Sequence, residues 1–156
     1  MAILPQLRTI VDALRIYKPD GSNVDLCRRD IVERGARIVS PGTSGVELAD
    51  GLTEVPRPVL DADLLLSGRF QQLGVCEWMM YKPRWGAFFE THLESHMRSL
   101  GVTSLVFAGC NFPNCPRTSI YEASERDFRI VLVEDAVSGL YDQGRREIEG
   151  IGVCVL

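Results

Sequence analysis

From residue 75 onward the chain alternates short apolar runs with amphipathic stretches, and this rhythm limits the fold more than any other feature. Residues 75–82 read as one strand, 86–100 as a helix with Phe89, Leu93, Met97 and Leu100 on one face, and 102–108 as a second strand. Helices are predicted over 116–127 and 140–149, with further strands at 130–133 and 152–156. A parallel neighbour needs a crossover of about a dozen residues, so strand and helix in alternation predict parallel pairing. The expected fold is therefore α/β, a three-layer α/β/α arrangement around a doubly wound, mainly parallel sheet. Residues 102–108 end as a continuous apolar run bounded by glycines, the pattern of a strand buried on both faces.

The front of the chain is less regular. Pro5 followed by Leu7, Ile10, Val11 and Leu14 at helical spacing predicts an amphipathic helix over 4–15. The turn formers of 19–23 come next, then Asp25 as the cap of a short helix that reaches about residue 33 and stops at Gly35. Residues 35–74 read as a long excursion over one end of the sheet, with a short helix somewhere in 61–72, because loops of this length are usually lids or binding loops.

At 156 residues one domain spanning 1–156 is expected. A net charge of −4 without a basic block leaves no footprint for nucleic acid or an acidic membrane, and a small molecule becomes the default partner. The longest apolar runs fall far short of the roughly 20 residues of a membrane span. Residues 1–5 lack the basic and apolar regions of a secretory signal, so a cytoplasmic location is expected. Five cysteines, Cys27, Cys76, Cys110, Cys115 and Cys154, form no C-x-x-C pair, and free thiols are expected.

The richest stretch is Ala108-Gly109-Cys110-Asn111-Phe112-Pro113-Asn114-Cys115-Pro116-Arg117-Thr118, directly after a strand, where open α/β sheets place their sites. Pro116 suits the first helical position, which makes Cys115 the cap residue at the positive end of the helix dipole. That field, with cations such as Lys82 or Arg117, favours the nucleophilic thiolate. Most cysteines taken singly are small buried residues, and the strand-turn-helix context is what raises Cys115 above them. Lys82 ends a strand before Pro83 and is expected at the same carboxyl edge as Cys115.

These residues resemble the isochorismatase-like cysteine hydrolases, which include nicotinamidases and N-carbamoyl amidohydrolases. The resemblance runs over most of 77–139. It rests on Tyr81-Lys82-Pro83-Arg84-Trp85-Gly86-Ala87-Phe88, Leu93 with Leu100-Gly101-Val102, Leu105-Val106-Phe107-Ala108-Gly109, Cys115 with Thr118, and Val133-Glu134-Asp135-Ala136, in that order and spacing. It implies an Asp-Lys-Cys triad, of which Lys82 and Cys115 match two members. It also implies a non-proline cis peptide near Cys110-Asn111, with the amides of Asn111 and Cys115 as oxyanion donors. Trp85 and Phe112 are expected to line an apolar substrate pocket, Asp135 to fix a loop, and a dimer or larger homo-oligomer to form. No cofactor is implied. Nicotinamidases bind a metal through histidines upstream of the lysine, and this chain has none before His92, so no metal is expected.

The departure is at the front. The family begins with a central strand carrying the catalytic aspartate, and no strand is read ahead of residue 4; Asp12 falls mid-helix, and Asp20 and Asp25 near loops. The favoured function is cleavage of a C–N bond in a small amide or carbamoyl compound through a covalent Cys115 intermediate. The alternative is an inactive family member that binds or scaffolds because its aspartate is absent. A Cys110–Cys115 redox pair lacks the spacing of a redox motif. His92 and His96, at i and i+4, could hold zinc but have no third ligand nearby in sequence.

Overall fold

Ile10, Val11, Leu14 and Ile16 fit a helical spacing and a strand alternation about equally well, and tertiary pairing decides between them. In the computed structural model, which describes residues 9–48, 52 and 58–156, Ile10–Leu14 is strand β1 rather than a helix. Residues 4–8, the front of the expected helix, and the stretch 1–5 weighed as a signal lie outside the described residues. The chain divides into two compact units, Met1–Pro83 and Arg84–Leu156.

In the first unit β1 continues into Ile16 and Tyr17, which are buried, and helix α1 spans Leu26–Glu33 as expected. Gly35 ends it in the left-handed region at φ 93°. The excursion holds a 3-10 turn at Ser44–Val46 and helix α2 at Ala62–Leu66, whose cap Asp61 accepts the Leu64 N–H at 2.9 Å. It then forms a hairpin the sequence reading missed, strand β2 at Gln71–Gly74 and strand β3 at Glu77–Tyr81. Val75, expected to start one long strand, sits 93% exposed at the hairpin tip. The sheet order is β1-β3-β2, parallel between β1 and β3 and antiparallel between β2 and β3. The excursion is more than a lid, because Val46 and Leu65 pack with Ile16 and Met79 as the core of this unit, flanked by Leu14, Leu73 and Tyr81. A three-stranded sheet needs an apolar cover to be stable, and this segment supplies it.

In the second unit helix α3 is confined to Leu93–Ser99, seven residues later than expected. The segment ahead of it is instead tied to helix α4 (Cys115–Ser124): Ala87 N–H donates to Ser119 Oγ at 3.0 Å and Phe88 N–H to Glu122 Oε2 at 2.9 Å. A Cβ on Gly86 would lie 2.1 Å from that carboxylate, so only glycine permits the approach. Phe89 and Leu100, expected on the buried face, are 44% and 39% exposed, whereas Leu93 and Met97 are buried. Strand β4 is Ser104–Gly109, β5 is Arg129–Val137, helix α5 is Asp142–Glu149 and β6 is Cys154–Val155. They form a parallel sheet in the order β4-β5-β6. β4 is an edge strand among the described residues, with Val106 42% exposed, and so differs from the doubly buried strand its apolar run predicts.

The carboxyl end of β1 is tied to the start of α1 by a buried cluster. Arg15 pairs with Asp25, whose Oδ2 also accepts the Tyr17 hydroxyl at 2.5 Å, and Arg15 Nη1 donates to the Pro83 carbonyl at 3.1 Å. Asp25 therefore makes no side-chain cap bond, contrary to the role its position suggested. Burial alone would raise its pKa, but hydrogen bonds from Cys27, Tyr17 and Arg15, with the charge of Arg15, outweigh this and bring it to about 2. A carboxylate whose folded pKa is depressed contributes stability that is present above about pH 4 and lost as pH falls toward 2. Asp25→Ala, which leaves Arg15 buried without this carboxylate, is expected to lower unfolding stability by about 3–5 kcal/mol and to flatten the acid limb between pH 4 and 2; urea titrations at pH 7, 4 and 3 measure both effects.

Candidate active site

The loop from β4 to α4 is set by local chemistry. Gly109 has φ 128°, a value open to glycine, and lets the chain leave the strand. The Cys110–Asn111 peptide is cis, as the resemblance implied. Phe112 N–H donates to Ser138 O at 2.7 Å and Ser138 N–H to Gly109 O at 3.1 Å, which fastens the loop to the end of β5. Asn114 caps α4, Cys115 is its first residue and Pro116 its second, so the helix starts one residue earlier than the capping pattern suggested. The Asn114 side chain donates to Asn111 Oδ1 at 2.9 Å, and Thr118 Oγ1 donates to the Asn114 carbonyl at 2.9 Å. The Cys115 carbonyl accepts Ser119 Oγ at 2.8 Å, so the first turn of α4 is held by hydroxyls as well as by its ladder.

Asn111, Phe112 and Cys115 thus share one loop of the second unit. Cys115 is half-buried and Asn111 exposed, whereas the Phe112 ring, expected to line a substrate pocket, is fully buried and meets Tyr141 edge-on at 5.8 Å, which gives it no open face to a ligand. Arg117, considered as a cation for the thiol, commits its guanidinium to Tyr141 Oη at 2.6 Å and Glu147 Oε2 at 2.5 Å. Trp85 is half-buried, and Phe88 packs with Phe128 at 5.8 Å beneath Arg126. Asp135 lies inside β5 rather than after a strand, because β5 runs on to Val137 through a register shift opposite Gly109. The described residues contain no group of three or more His, Cys, Asp or Glu able to hold a metal, and burial lowers the pKa of His96.

Lys82 belongs to the first unit. It is 4% exposed, follows β3 directly, and its amide donates to Leu14 O at 2.9 Å. The residue the sequence reading passed over is Asp12, placed mid-helix but found in the middle of β1 opposite Met79. Its Oδ2 is buried with no hydrogen-bond partner among the described residues. Burial, and after it the neighbouring Glu77 carboxylate, raise its pKa to about 6. Strand alternation puts Asp12 on the face of Glu77 and Met79, and Lys82 with Met80 on the other. The signal for a strand was present in Leu14-Arg15-Ile16-Tyr17, which alternates, but four residues cannot outweigh the helical spacing before them.

A parallel α/β scaffold that ends a strand in a cis-peptide loop and starts the next helix with a cysteine defines a thiol-bearing α/β protein. A family model for the isochorismatase domain matches residues 33–148, across both units. The chain belongs to the isochorismatase family. It is 30% identical over 131 residues to an Arabidopsis thaliana protein named a probable inactive nicotinamidase, covering 83% of this chain and 58% of that one. It is 30% identical over 120 residues to a ureidoacrylate amidohydrolase of Rhizobium rhizogenes, covering 72% and 47%. The chain therefore spans about half the length of these curated relatives. Among solved structures, an isochorismatase family protein from Desulfovibrio vulgaris superposes with a TM-score of 0.78 at 22% identity, covering 98% of this chain and 73% of that one. The N-carbamoylsarcosine amidase of Thermoplasma acidophilum gives 0.69 at 21%, covering 98% and 74%. These likenesses show the fold, the mainly parallel three-layer α/β/α arrangement of the family. No helix among the described residues is long and apolar enough to cross a membrane.

The Asp12–Glu77 pair yields a stability prediction of defined sign. An acid whose folded pKa is raised binds its proton more tightly when folded, so the contribution of Asp12 to stability is full below about pH 4 and is lost as pH rises through 6. After screening of a partly exposed pair, the loss is about 1–2 kcal/mol. Asp12→Asn is expected to remove this slope, measured by denaturant midpoints at pH 4.5 and 7.

Proposed function

We propose that the chain is a cysteine hydrolase that cleaves the C–N bond of a small amide or carbamoyl compound through a covalent intermediate on Cys115. The observation that carries this reading is Cys115 as the first residue of α4, behind the Cys110–Asn111 cis peptide, in a chain of the isochorismatase family. The substrate class rests on the amidohydrolase similar to it.

The thiolate of Cys115 attacks the carbonyl carbon, forming a C–S bond while the carbonyl pair moves onto oxygen. The amides of Asn111 and Cys115 donate to that oxyanion, at the positive end of α4, and one such donor is worth about 3 kcal/mol of barrier. Collapse breaks the C–N bond, and the nitrogen leaves with the proton that the Cys115 thiol released on ionising, relayed through solvent. Water then attacks the thioester, breaks the C–S bond and returns a proton to sulfur. Lys82 favours the ionised thiol and polarises the reacting pair, Trp85 lines the apolar side of the pocket, and Phe112 backs the loop from the core. The reading includes a single catalytic domain, no resident cofactor or metal, a cytoplasmic location and a homodimer or larger assembly.

A second reading, a family member that binds its ligand without turnover, is favoured by the carboxylates of the first unit. Burial raises the pKa of Asp12 to about 6, but the residue shares the face of Glu77 and not that of Lys82. Asp25 is held ionised. The Arabidopsis relative is named inactive.

Ammonia release from a panel of ureido and aromatic amides, with mass spectrometry of the protein, separates the readings. A hydrolase forms an acyl adduct on Cys115, is abolished by Cys115→Ser, and is slowed about 10²–10⁴-fold by Lys82→Met. Ligand retention without adduct or ammonia selects the binding protein.

A further inference from the structure

The loop that carries Cys115 is pressed from behind by helix α5, at a residue no motif singles out. Gly144 lies against the Phe112 ring so closely that an added Cβ would stand 2.6 Å from Phe112 Cε1 and 2.9 Å from Tyr141 Cζ. Real Cβ atoms do not approach so near, and neither neighbour is the end of a flexible chain: Phe112 is fully buried and Tyr141 is stacked on it edge-on. Tyr141 Oη in turn accepts from Arg117 on the first turn of α4, whose other nitrogen reaches Glu147 on α5. Gln143 donates to the second oxygen of the same carboxylate at 2.9 Å. A closed circuit results: α5 to Phe112, Phe112 through the loop to Cys115, Cys115 through α4 to Arg117, and Arg117 back to α5. Its backbone is equally committed, with Phe112 N–H on Ser138 O and Arg117 N–H on Phe112 O at 3.1 Å.

We propose that Gly144, with Tyr141 and Arg117, is a positioning element for the nucleophile, fixing the place of the Cys115 thiol through Phe112 without touching substrate. The proposal rests on Cys115 being the reacting group. It explains why a glycine stands inside α5, where glycine is a poor helix former. Were the space free, alanine there would stabilise the helix; here it must displace Phe112 and with it the loop.

The test uses the full chain. Gly144→Ala is compared with wild type and with Ile148→Val, which opens space at a fully buried residue one turn further along the same helix. The readouts are the pH profile of Cys115 alkylation by iodoacetamide, normalised to exposed Cys27 in the same molecule, and amide exchange at Phe112 and Ser138. Gly144→Ala is expected to slow Cys115 alkylation at pH 7 by about tenfold, to move its pH midpoint, and to speed exchange at both amides. Ile148→Val is expected to lower thermal stability with the alkylation profile unchanged, and Gly144→Ala combined with Phe112→Leu to regain most of the lost rate. An unchanged profile in Gly144→Ala, or the same change in Ile148→Val, overturns the proposal. The absence of ammonia release from any amide, with the alkylation differences intact, overturns the hydrolase reading alone.

Discussion

The burial of Phe112 is the contact on which the second unit turns. A fully enclosed aromatic ring contributes a few kcal/mol of apolar burial and tolerates little displacement, because interiors are packed like crystals. The ring sits three residues before Cys115, so whatever fixes it fixes the start of α4. β4 and β5 deliver the chain to this point from one side, through the Gly109, Ser138 and Phe112 amides, and α5 closes it from the other. The loop is thus ordered by folding itself, and no later event has to fix the direction in which α4 begins.

The first unit is organised around a charge instead. Arg15 and Asp25 are buried together, with Tyr17 and Arg28 on the same carboxylate, and Arg15 also holds the carbonyl of Pro83. Lys82 therefore stands on a strand end whose continuation is anchored by that cluster. Buried ion pairs are weak sources of stability but effective at fixing register, since a one-residue slip of β1 would strand a charge in the core. The excursion of 35–74 adds the apolar half of this unit through Val46 and Leu65.

The legible and the illegible parts of the chain differ in the range of the forces that decide them. α1, α2, α4 and α5, the strands β4 to β6 and the loop holding Cys115 were readable because caps, Pro116 and turn residues act within a few positions of themselves. α3 was misjudged by seven residues because the groups that hold the segment ahead of it, Ser119 and Glu122, lie 32 and 34 residues beyond the amides they bind. β1 was misjudged because its partner β3 lies some 67 positions away and overrides a local helical spacing. Asp12 was passed over for the same reason, its significance depending wholly on which element it occupied.

By itself the sequence determined the α/β class, through periodicity, and pointed to the family and to Cys115 and Lys82 as candidates, through a resemblance carried by segments in order over 77–139. Tertiary structure alone decided that the front of the chain pairs as a strand, that Phe112 is enclosed, that Arg117 serves Tyr141 and Glu147, and that Gly144 must lack a side chain. Each of these depends on an approach between residues distant in sequence, where steric exclusion and the pairing of buried polar groups outweigh local preference.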